Sequence, residues 1–529
     1  MGGISRRSFL RTGAAIGAGA FGRAPAGAAS GRGARLADRR ASGKPRNVLL
    51  LMSDQHTPSA FGFKGDRVAR TPNLDAFARD SVDFDSAYCT YPLCLPSRAS
   101  LLTGLYPHHH GADNNQTPWP YEHETLAHTF HAAGYMTSLI GKMHFDDGQT
   151  HGFDYHLDFN EWFQYLGPKT RIWADELGAP NDGSGQPQIP ALWDKHDPWA
   201  GVRVNDARQG YIAVGHRSRL AEEDHFERFV ARESLRFLET HGRKRPFLLI
   251  SSFLKPHPPF MPAARFANMY NPADMRLPRT WGKVDPATVP RVIREAIEWP
   301  RATPELHDPF QARVRIAMYY AQLAQMDDCA GRILRALRDL GLEDDTIVVY
   351  TADHGEMLGR HGLWNKYVFY EPSVGVPLLW RVPGVTRGHA RCRTPVSLVQ
   401  MVATLSELCG VPVPADLDGA SFASSLHNPG ETLDTSVFAE YGIRGPHARY
   451  MLRRGDYKYC FYPGDLPELY DLRSDPQEMK NLAVRPEFKG RMDEMRDRLF
   501  EWYRPPQAGR SWAAGSALAV QGRNAHVQH

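Results

Sequence analysis

The chain has 529 residues, 42% of them hydrophobic and 23% charged, with 40 prolines and a formal net charge of +4. This is the composition of a globular chain rich in loops and long enough for one large and one small domain. Part of the basic excess sits in the Arg-rich first 46 residues, so the body is near neutral, and it carries no basic stripe of the kind a nucleic-acid binder presents.

Residues 1–28 read as a targeting segment. Ser5-Arg6-Arg7-Ser8-Phe9-Leu10 is a twin-arginine signature. An Ala/Gly run too short to span a bilayer follows it, then small residues suited to cleavage near Ala28. The expected address is periplasmic or secreted, reached in folded form through the twin-arginine export machinery. No later segment reads as an integral membrane span.

Four apolar runs of strand length follow, and each ends in polar or ionisable residues. "NVLLLM" (47–52) runs into Ser53-Asp54-Gln55-His56, and "MTSLI" (136–140) into Gly141-Lys142-Met143-His144. "FLLISSFL" (247–254) runs into Lys255-Pro256-His257, and "TIVVYTA" (346–352) into Asp353-His354-Gly355. Amphipathic helical patterns separate them, most clearly over 312–341, where Val314, Ile316, Leu323, Met326, Ile333, Leu334 and Leu337 recur before Gly341. The alternation predicts an α/β catalytic domain over 44–430, with a large, mostly parallel sheet flanked by helices. Ligands of such sheets bind at the carboxyl ends of the strands, where all four polar clusters lie.

Residues 160–235 read as loop insertions that shape a pocket, with Trp162, Phe163, Tyr165 and Trp173 among them. After Pro429-Gly430 the pattern changes to antiparallel strands, tight turns and one amphipathic helix, a small α+β domain over 431–508. The tail, 509–529, reads as disordered.

The six cysteines (Cys89, Cys94, Cys329, Cys392, Cys409 and Cys460) show neither CxxC nor zinc-type spacing. An exported chain permits a disulfide, for instance from Cys89. For Cys94 a disulfide, a metal ligand, a buried thiol and a catalytic nucleophile are all open on residue type alone.

Cys94-Leu95-Pro96-Ser97-Arg98, with Thr103-Gly104 downstream, resembles the modification motif of the sulfatase family. "GKMHF", "HGFD", "KPHPPF", "DHGEMLGRHGLWNKYVFYEPSVGVPLL" and "PELYDLRSDPQEMKNLA" extend the resemblance, in the family's order, over nearly the whole mature chain. It implies an alkaline-phosphatase-like fold, sulfuric ester hydrolysis, and a Cys94 oxidised to formylglycine by a separate generating enzyme before folding. The hydrated aldehyde has one hydroxyl to attack sulfur and a second to expel sulfate, an exit that a plain thiolate lacks.

The resemblance also implies metal ligands at Asp54, Asp353, His354 and the modified Cys94, with the Gln55 carbonyl as a further donor. Ser53 stands where many relatives carry a second Asp, and His354 where some carry Asn. Calcium is the family's usual ion and ranks first, while the imidazole also suits manganese. Arg98 holds the nucleophile, and Lys142 and Lys366 clamp sulfate. His144 serves as base for the second hydroxyl, His257 attends the departing alcohol, and Asn114 contacts sulfate.

His108-His109-His110 reads as loop surface rather than a metal tract. The leading function is hydrolysis of a small-molecule sulfate monoester. The alternatives are a phosphonate monoester or phosphodiester hydrolase on the same fold, and a catalytically silent sulfate-binding homologue. The detailed pattern is nearest the choline-sulfatase-like branch, whose quaternary ammonium would want an aromatic cage, for which Trp119, Trp162 and Trp173 are the candidates.

Overall fold

A computed structural model of the chain describes residues 47–120, 122–145, 149–176, 215–298, 308–445 and 447–505. The twin-arginine segment and the 509–529 tail lie outside the described residues. In chain order the strands are β1 (Asn47–Asp54), β2 (Val82–Phe84), β3 (Ala87–Tyr88), β4 (Met136–Gly141), β5 (Tyr155–Leu157), β6 (Phe247–Pro256) and β7 (Thr346–Ala352). They continue with β8 (Leu378–Arg381), β9 (Ala390–Cys392), β10 (Val396–Ser397), β11 (Ser436–Tyr441), β12 (Arg449–Arg454), β13 (Tyr457–Phe461) and β14 (Glu468–Asp471).

Eight strands form one sheet in the order β5-β4-β6-β1-β7-β8-β2-β9. From β5 to β7 neighbouring strands are parallel. β8 runs antiparallel to β7 and β2, and β2 is parallel to β9. The four apolar runs of the sequence are thus the adjacent strands β4, β6, β1 and β7, so their carboxyl ends lie side by side.

β1 is buried along its whole length. Strand side chains alternate between faces, and the two faces feed different cores. Leu49, Leu51, Leu249 and Tyr350 enter one, shared with Val314, Leu323 and Met326 of the 31-residue helix Pro309–Asp339. Val48, Leu50, Ile250 and Val349 enter the other, with Leu101 and Leu102 of the helix Cys94–Thr103 and with Leu405. Burial on both faces explains why these strands read as continuous apolar runs rather than alternating ones.

The C-terminal sheet is an antiparallel meander, β11-β12-β13-β14. One face, with Tyr450, Leu452, Tyr459 and Phe461, packs on Met495 and Leu499 of the helix Lys489–Trp502. The opposite face, with Val437, Ala439, Met451 and Cys460, belongs to the same core as Val48 and Leu50.

Two expectations need correction. The 160–235 stretch is not simply loop: helices run over Phe159–Leu166, Thr170–Glu176 and Phe226–His241, and residues 177–214 lie outside the described ones. The missed signal was a capping box, in which Asp158 accepts from Asn160 N while Glu161 accepts from Asp158 N. Phe159, Trp162, Phe163 and Leu166 then fall on one helical face and pack into the core. Nor is the His108–His110 tract all surface. It forms a short helical turn in which His109 is exposed beside Asp418, His108 pairs with buried Glu440, and His110 is buried against Ser100.

Burial holds several imidazoles neutral. His56 and His110 are each lowered to about 3, and His361 to about 4, chiefly by desolvation. The unfolded chain takes up those protons near the ordinary value of 6.5, whereas the folded chain resists until pH 3–4. Stability is therefore complete above about pH 6.5 and is lost progressively as pH falls towards the folded values. Melting curves recorded from pH 7.5 to 5 should show a falling midpoint; an unchanged midpoint would contradict the burial of these rings as neutral groups.

Candidate active site

The helix Cys94–Thr103 starts after an extended Leu93 and stops at Gly104, whose φ of 73° is left-handed. A Cβ at Gly104 would lie 2.7 Å from Leu417, so only glycine ends the helix there without strain. Cys94 occupies the first helical position. Pro96 falls inside the first turn, where a missing N–H costs no hydrogen bond. Leu93 offers no side-chain cap, and the acceptor for Leu95 N is Asn115 Oδ1 at 3.0 Å, from a different segment. Ser97 Oγ donates to Asp353 O at 2.6 Å.

Arg98 lies one turn after Cys94, on the same helical face. Its fully buried guanidinium reaches the carboxyl ends of β1, β4 and β7 and the middle of β6. Nη2 donates to Asp54 Oδ2 at 2.9 Å and Nε to Asp353 Oδ2 at 2.8 Å, while Nη1 donates to Ser252 Oγ at 2.9 Å and to Lys142 O. Burial alone would lower its pKa, but Asp353 and Asp54 outweigh that and raise it.

Gly141, at φ +112°, sets the approach of the next strand end. A Cβ there would lie 1.8 Å from Ser252 O, the acceptor for Lys142 N at 3.0 Å. Glycine thus lets β4 close on β6 and turns Lys142 into the site. Lys142 Nζ sits 2.5 Å from Asp54 Oδ2 and 3.8 Å from Cys94 Sγ.

Asp54, Cys94, Asp353 and His354 each offer a donor atom, all within 4.8 Å of one another, and all four residues are buried. His354 Nδ1 lies 3.0 Å from Gly355 O, which can only accept, so Nδ1 carries the hydrogen and Nε2 turns its lone pair to the cluster. Nε2 is 3.2 Å from Cys94 Sγ and 3.7 Å from a carboxylate oxygen of each aspartate. Burial would raise the Asp54 pKa, but Lys142, His257, Arg98 and His354 hold it well below the usual carboxylate range. Two carboxylates and one imidazole converging on a point is a donor set that fits a divalent cation.

Gln55 sits in left-handed backbone at φ 63°. Its backbone N–H donates to Asp353 Oδ1 at 3.1 Å, and its backbone oxygen accepts from Tyr319 OH at 3.0 Å. The side-chain carbonyl accepts from Lys366 Nζ at 2.5 Å, and the amide nitrogen donates to Glu356. Lys366 Nζ also lies 2.9 Å from His257 Nε2 and 3.9 Å from Cys94 Sγ. His257 Nδ1 lies 2.5 Å from Pro258 O and so carries the ring hydrogen, leaving Nε2 to accept from Lys366. Burial, Lys366 and Lys142 push the His257 pKa well down. His144 is lowered too, by burial and then by Lys142 and Arg98, and its Nδ1 is buried with no hydrogen-bond partner among the described residues.

The environment separates Cys94 from the other thiols. Cys89, Cys94, Cys329, Cys392 and Cys460 are buried free thiols, so the disulfide considered for Cys89 does not form. Desolvation pushes the thiols of Cys89, Cys329, Cys392 and Cys460 up. At Cys94, burial and Asp54 also act upwards, but Lys142, Lys366 and His354 prevail and lower it.

Asp54, Gln55, Cys94, Arg98, Lys142, His257, Asp353, His354 and Lys366 are thus linked by direct contacts into one cluster, with His144 two residues beyond Lys142. Asn114 is engaged within its own loop, donating to Asp113 Oδ1 and accepting from Gln116 N. Asn115, Glu356, Ser252 and Tyr319 were missed by the sequence reading. Glu356 lies inside a quoted segment, yet only the fold shows that its carboxylate holds Gln55. The tryptophan cage is not built: Trp119 packs on Phe145 and His151, and Trp162 packs on Phe226 and Trp173 while donating to Asp224 O. Both are 2% exposed.

Arg98→Lys keeps the charge but loses the planar fork that spans four strands. A drop in kcat of about 100-fold or more is expected, with a lowered melting midpoint, because a buried ion pair left incomplete costs roughly 3–5 kcal/mol. A fully active Arg98→Lys enzyme would remove the guanidinium from this role.

Comparison with known proteins bears on the cluster. The sulfatase family profile matches residues 46–411, and the profile of the N-sulphoglucosamine sulphohydrolase C-terminal region matches 359–504. The choline-sulfatase of Rhizobium meliloti is 30% identical over 460 residues, covering 84% of this chain and 83% of its own. An arylsulfatase of Clostridium perfringens is 27% identical, covering 86% of this chain and 94% of its own. Among solved structures, the phosphonate monoester hydrolase of Agrobacterium radiobacter superposes with a TM-score of 0.69 at 24% identity, covering 87% of this chain and 95% of that one. Its likeness establishes the alkaline-phosphatase-like fold.

Proposed function

The chain belongs to the sulfatase family, and from that premise we propose that it hydrolyses a sulfate monoester with a nucleophile derived from Cys94, releasing inorganic sulfate and an alcohol. The observation that carries this reading is the surround of Cys94 Sγ, which joins a metal-type donor set and has the ammonium groups of Lys142 and Lys366 at 3.8 and 3.9 Å.

Sγ stands where the oxygens of a hydrated formylglycine would stand. Asp54, Asp353 and His354 would hold a divalent metal, and the converted Cys94 side chain would supply one hydroxyl to attack sulfur and a second whose deprotonation would expel sulfate. Calcium is the first choice of ion and manganese the second, because an imidazole replaces one oxygen donor. Gln55 is the further candidate donor, although its carbonyl is engaged with Lys366.

Each remaining role follows from charge and position. Arg98 compensates Asp54 and Asp353 and leaves the Oδ1 atom of each facing the cluster. Lys142 and Lys366 present N–H donors where sulfuryl oxygens gather charge. His257 and Lys366 share a hydrogen bond, which places a proton beside the departing alcohol oxygen. His144, held neutral with Nδ1 free, is the base for the second hydroxyl. Asn114 is the weakest of the proposed sulfate contacts, since its amide is already hydrogen-bonded.

Cys94 is 1% exposed and every residue of its helix is buried, so conversion must precede folding. That requires a formylglycine-generating partner acting before the chain is exported. The twin-arginine segment fits such an order, with the folded enzyme delivered to the periplasm or beyond. No helix of the described residues is long and apolar enough to cross a membrane.

The second reading is a phosphonate monoester or phosphodiester hydrolase. Its support is charge. Around Cys94 the carboxylates of Asp54, Asp353 and Glu356 are matched by Arg98, Lys142 and Lys366, and this balance suits any monoanionic ester. The silent homologue has no comparable support, since Cys94, Arg98 and both aspartates are in place. Choline sulfate remains one member of the proposed substrate class, without the tryptophan cage first sought for it.

Peptide mass spectrometry on enzyme from its native host should show Cys94 lighter by about 18 Da, thiol to aldehyde. Elemental analysis should find one divalent metal per chain, and parallel assays should favour sulfate over phosphonate esters. An active preparation with unmodified Cys94 would sink the formylglycine route, and a preference for phosphonate esters would install the second reading. His144→Ala should leave the first half-reaction and slow release of sulfate, so that a burst of about one equivalent of alcohol precedes slow turnover; a mutant that loses the burst as well would move His144 out of that role.

A further inference from the structure

Lys366 stands on unusual backbone. Its neighbours on both sides are non-glycine residues in left-handed conformation, Asn365 at φ 64° and Tyr367 at φ 83°. An aromatic residue at such an angle is an outlier that persists only where its surroundings over-determine it. On the N-terminal side the restraints are local to the catalytic core. Asn365 N donates to Glu356 Oε1 at 2.8 Å, Asn365 O accepts from Met357 N at 2.7 Å, and Asn365 Oδ1 accepts from Arg315 Nη2 at 2.7 Å.

On the C-terminal side the restraints come from the small antiparallel sheet. Arg449, the first residue of β12, donates from Nη2 to Tyr367 O. Lys458 on β13 donates to Phe369 O at 2.6 Å and pairs with Glu371 at 2.8 Å and with Glu478. Both cations are buried, at 4% and 0% exposure. The Arg449 guanidinium is itself held flat: it lies 4.1 Å from the Tyr441 ring on β11, and its Nη1 donates to His447 O at 3.1 Å. Tyr441 in turn packs edge-on against Tyr367, with ring centroids 6.0 Å apart.

We propose that Arg449 is a positioning residue for Lys366: by bonding Tyr367 O it fixes the strained turn that points the Lys366 ammonium at Cys94, so that the small sheet serves as the template for one wall of the active site. The proposal rests on the reading of Lys366 as a sulfate clamp. Only a planar fork fits here, because the same group must bond two carbonyls in different directions and stack on a ring, which an ammonium does not do. Tyr367 N donates to Pro92 O at 3.3 Å and Lys458 secures the segment two residues further on, so that Arg449 holds the carbonyl side of the turn.

The test is a double-mutant cycle on formylglycine-containing, metal-loaded enzyme with 4-nitrophenyl sulfate as the probe: wild type, Arg449→Lys, Lys366→Ala and the double variant. Arg449→Lys is expected to lose about tenfold in kcat/KM, mainly in kcat, while Cys94 conversion and the melting midpoint stay near wild type. Because Arg449 acts through Lys366, the double variant should be no worse than Lys366→Ala by more than about twofold. Tyr441→Leu, which removes the ring that holds the guanidinium, gives a second cycle with the same non-additivity and a smaller first loss. Losses that multiply in both double variants, or an Arg449→Lys enzyme at the wild-type rate, would overturn the positioning role. A Lys366→Ala enzyme at full rate would show instead that the reading of Lys366 has failed.

Discussion

A guanidinium removed from water has to satisfy its donors and balance its charge, and Arg98 does both with groups from four strands. Asp54 closes β1, Asp353 follows β7, Lys142 follows β4 and Ser252 lies within β6. An unpaired buried charge is strongly destabilising, so the guanidinium and its partners constrain one another. The strand ends are held in register with the start of the helix Cys94–Thr103, and Asp54 is kept ionised. Each aspartate has one oxygen on Arg98 and the other, Oδ1, turned to His354.

The same electrostatics sorts the titratable groups by task. Cations close to Cys94 lower its pKa, whereas four of the other buried thiols are pushed the opposite way, chiefly by desolvation. The two pocket histidines are kept neutral by burial and by those same cations. A neutral imidazole in a cationic pocket can accept a proton without first surrendering one, which is the property a base needs. His354 is raised instead, because Asp353 and Cys94 outweigh desolvation and Lys366. Its Nε2 shares a pocket with two carboxylates, the place that a metal's charge would take.

The division into a large and a small sheet is a division of topology more than of packing. Met451 and Cys460 of the meander share a core with Leu50 and Ile250 of the large sheet. Backbone bonding also ties the meander to the segment before the helix Cys94–Thr103, Glu440 N donating to Thr90 O at 2.9 Å. A face buried in common lets β12 and β13 reach the backbone around Lys366, a contact that two separately packed domains would not supply.

Much of the site was legible in the sequence because chemistry and periodicity are both local. The apolar runs marked β1, β4, β6 and β7, and in a parallel sheet their polar ends must fall on one edge, so Asp54, Lys142, His257 and Asp353 could be grouped without coordinates. Cys94 and Arg98, four apart, fall on one helical face. What stayed illegible depends on partners distant in sequence or on strands too short to show a period. Asn115 rather than Asn114 meets the helix because the loop turns one amide inward and the other onto Asp113. The 160–176 segment became helix because a capping box and a buried aromatic face outweighed its loop-like composition. Residue type and spacing marked Cys94, a metal-type donor set and the cations beside them. The tertiary structure alone decided which oxygen faces which nitrogen and that Tyr367 carries a positive φ, because such restraints arise only where side chains hundreds of residues apart are buried together and must satisfy one another's hydrogen bonds.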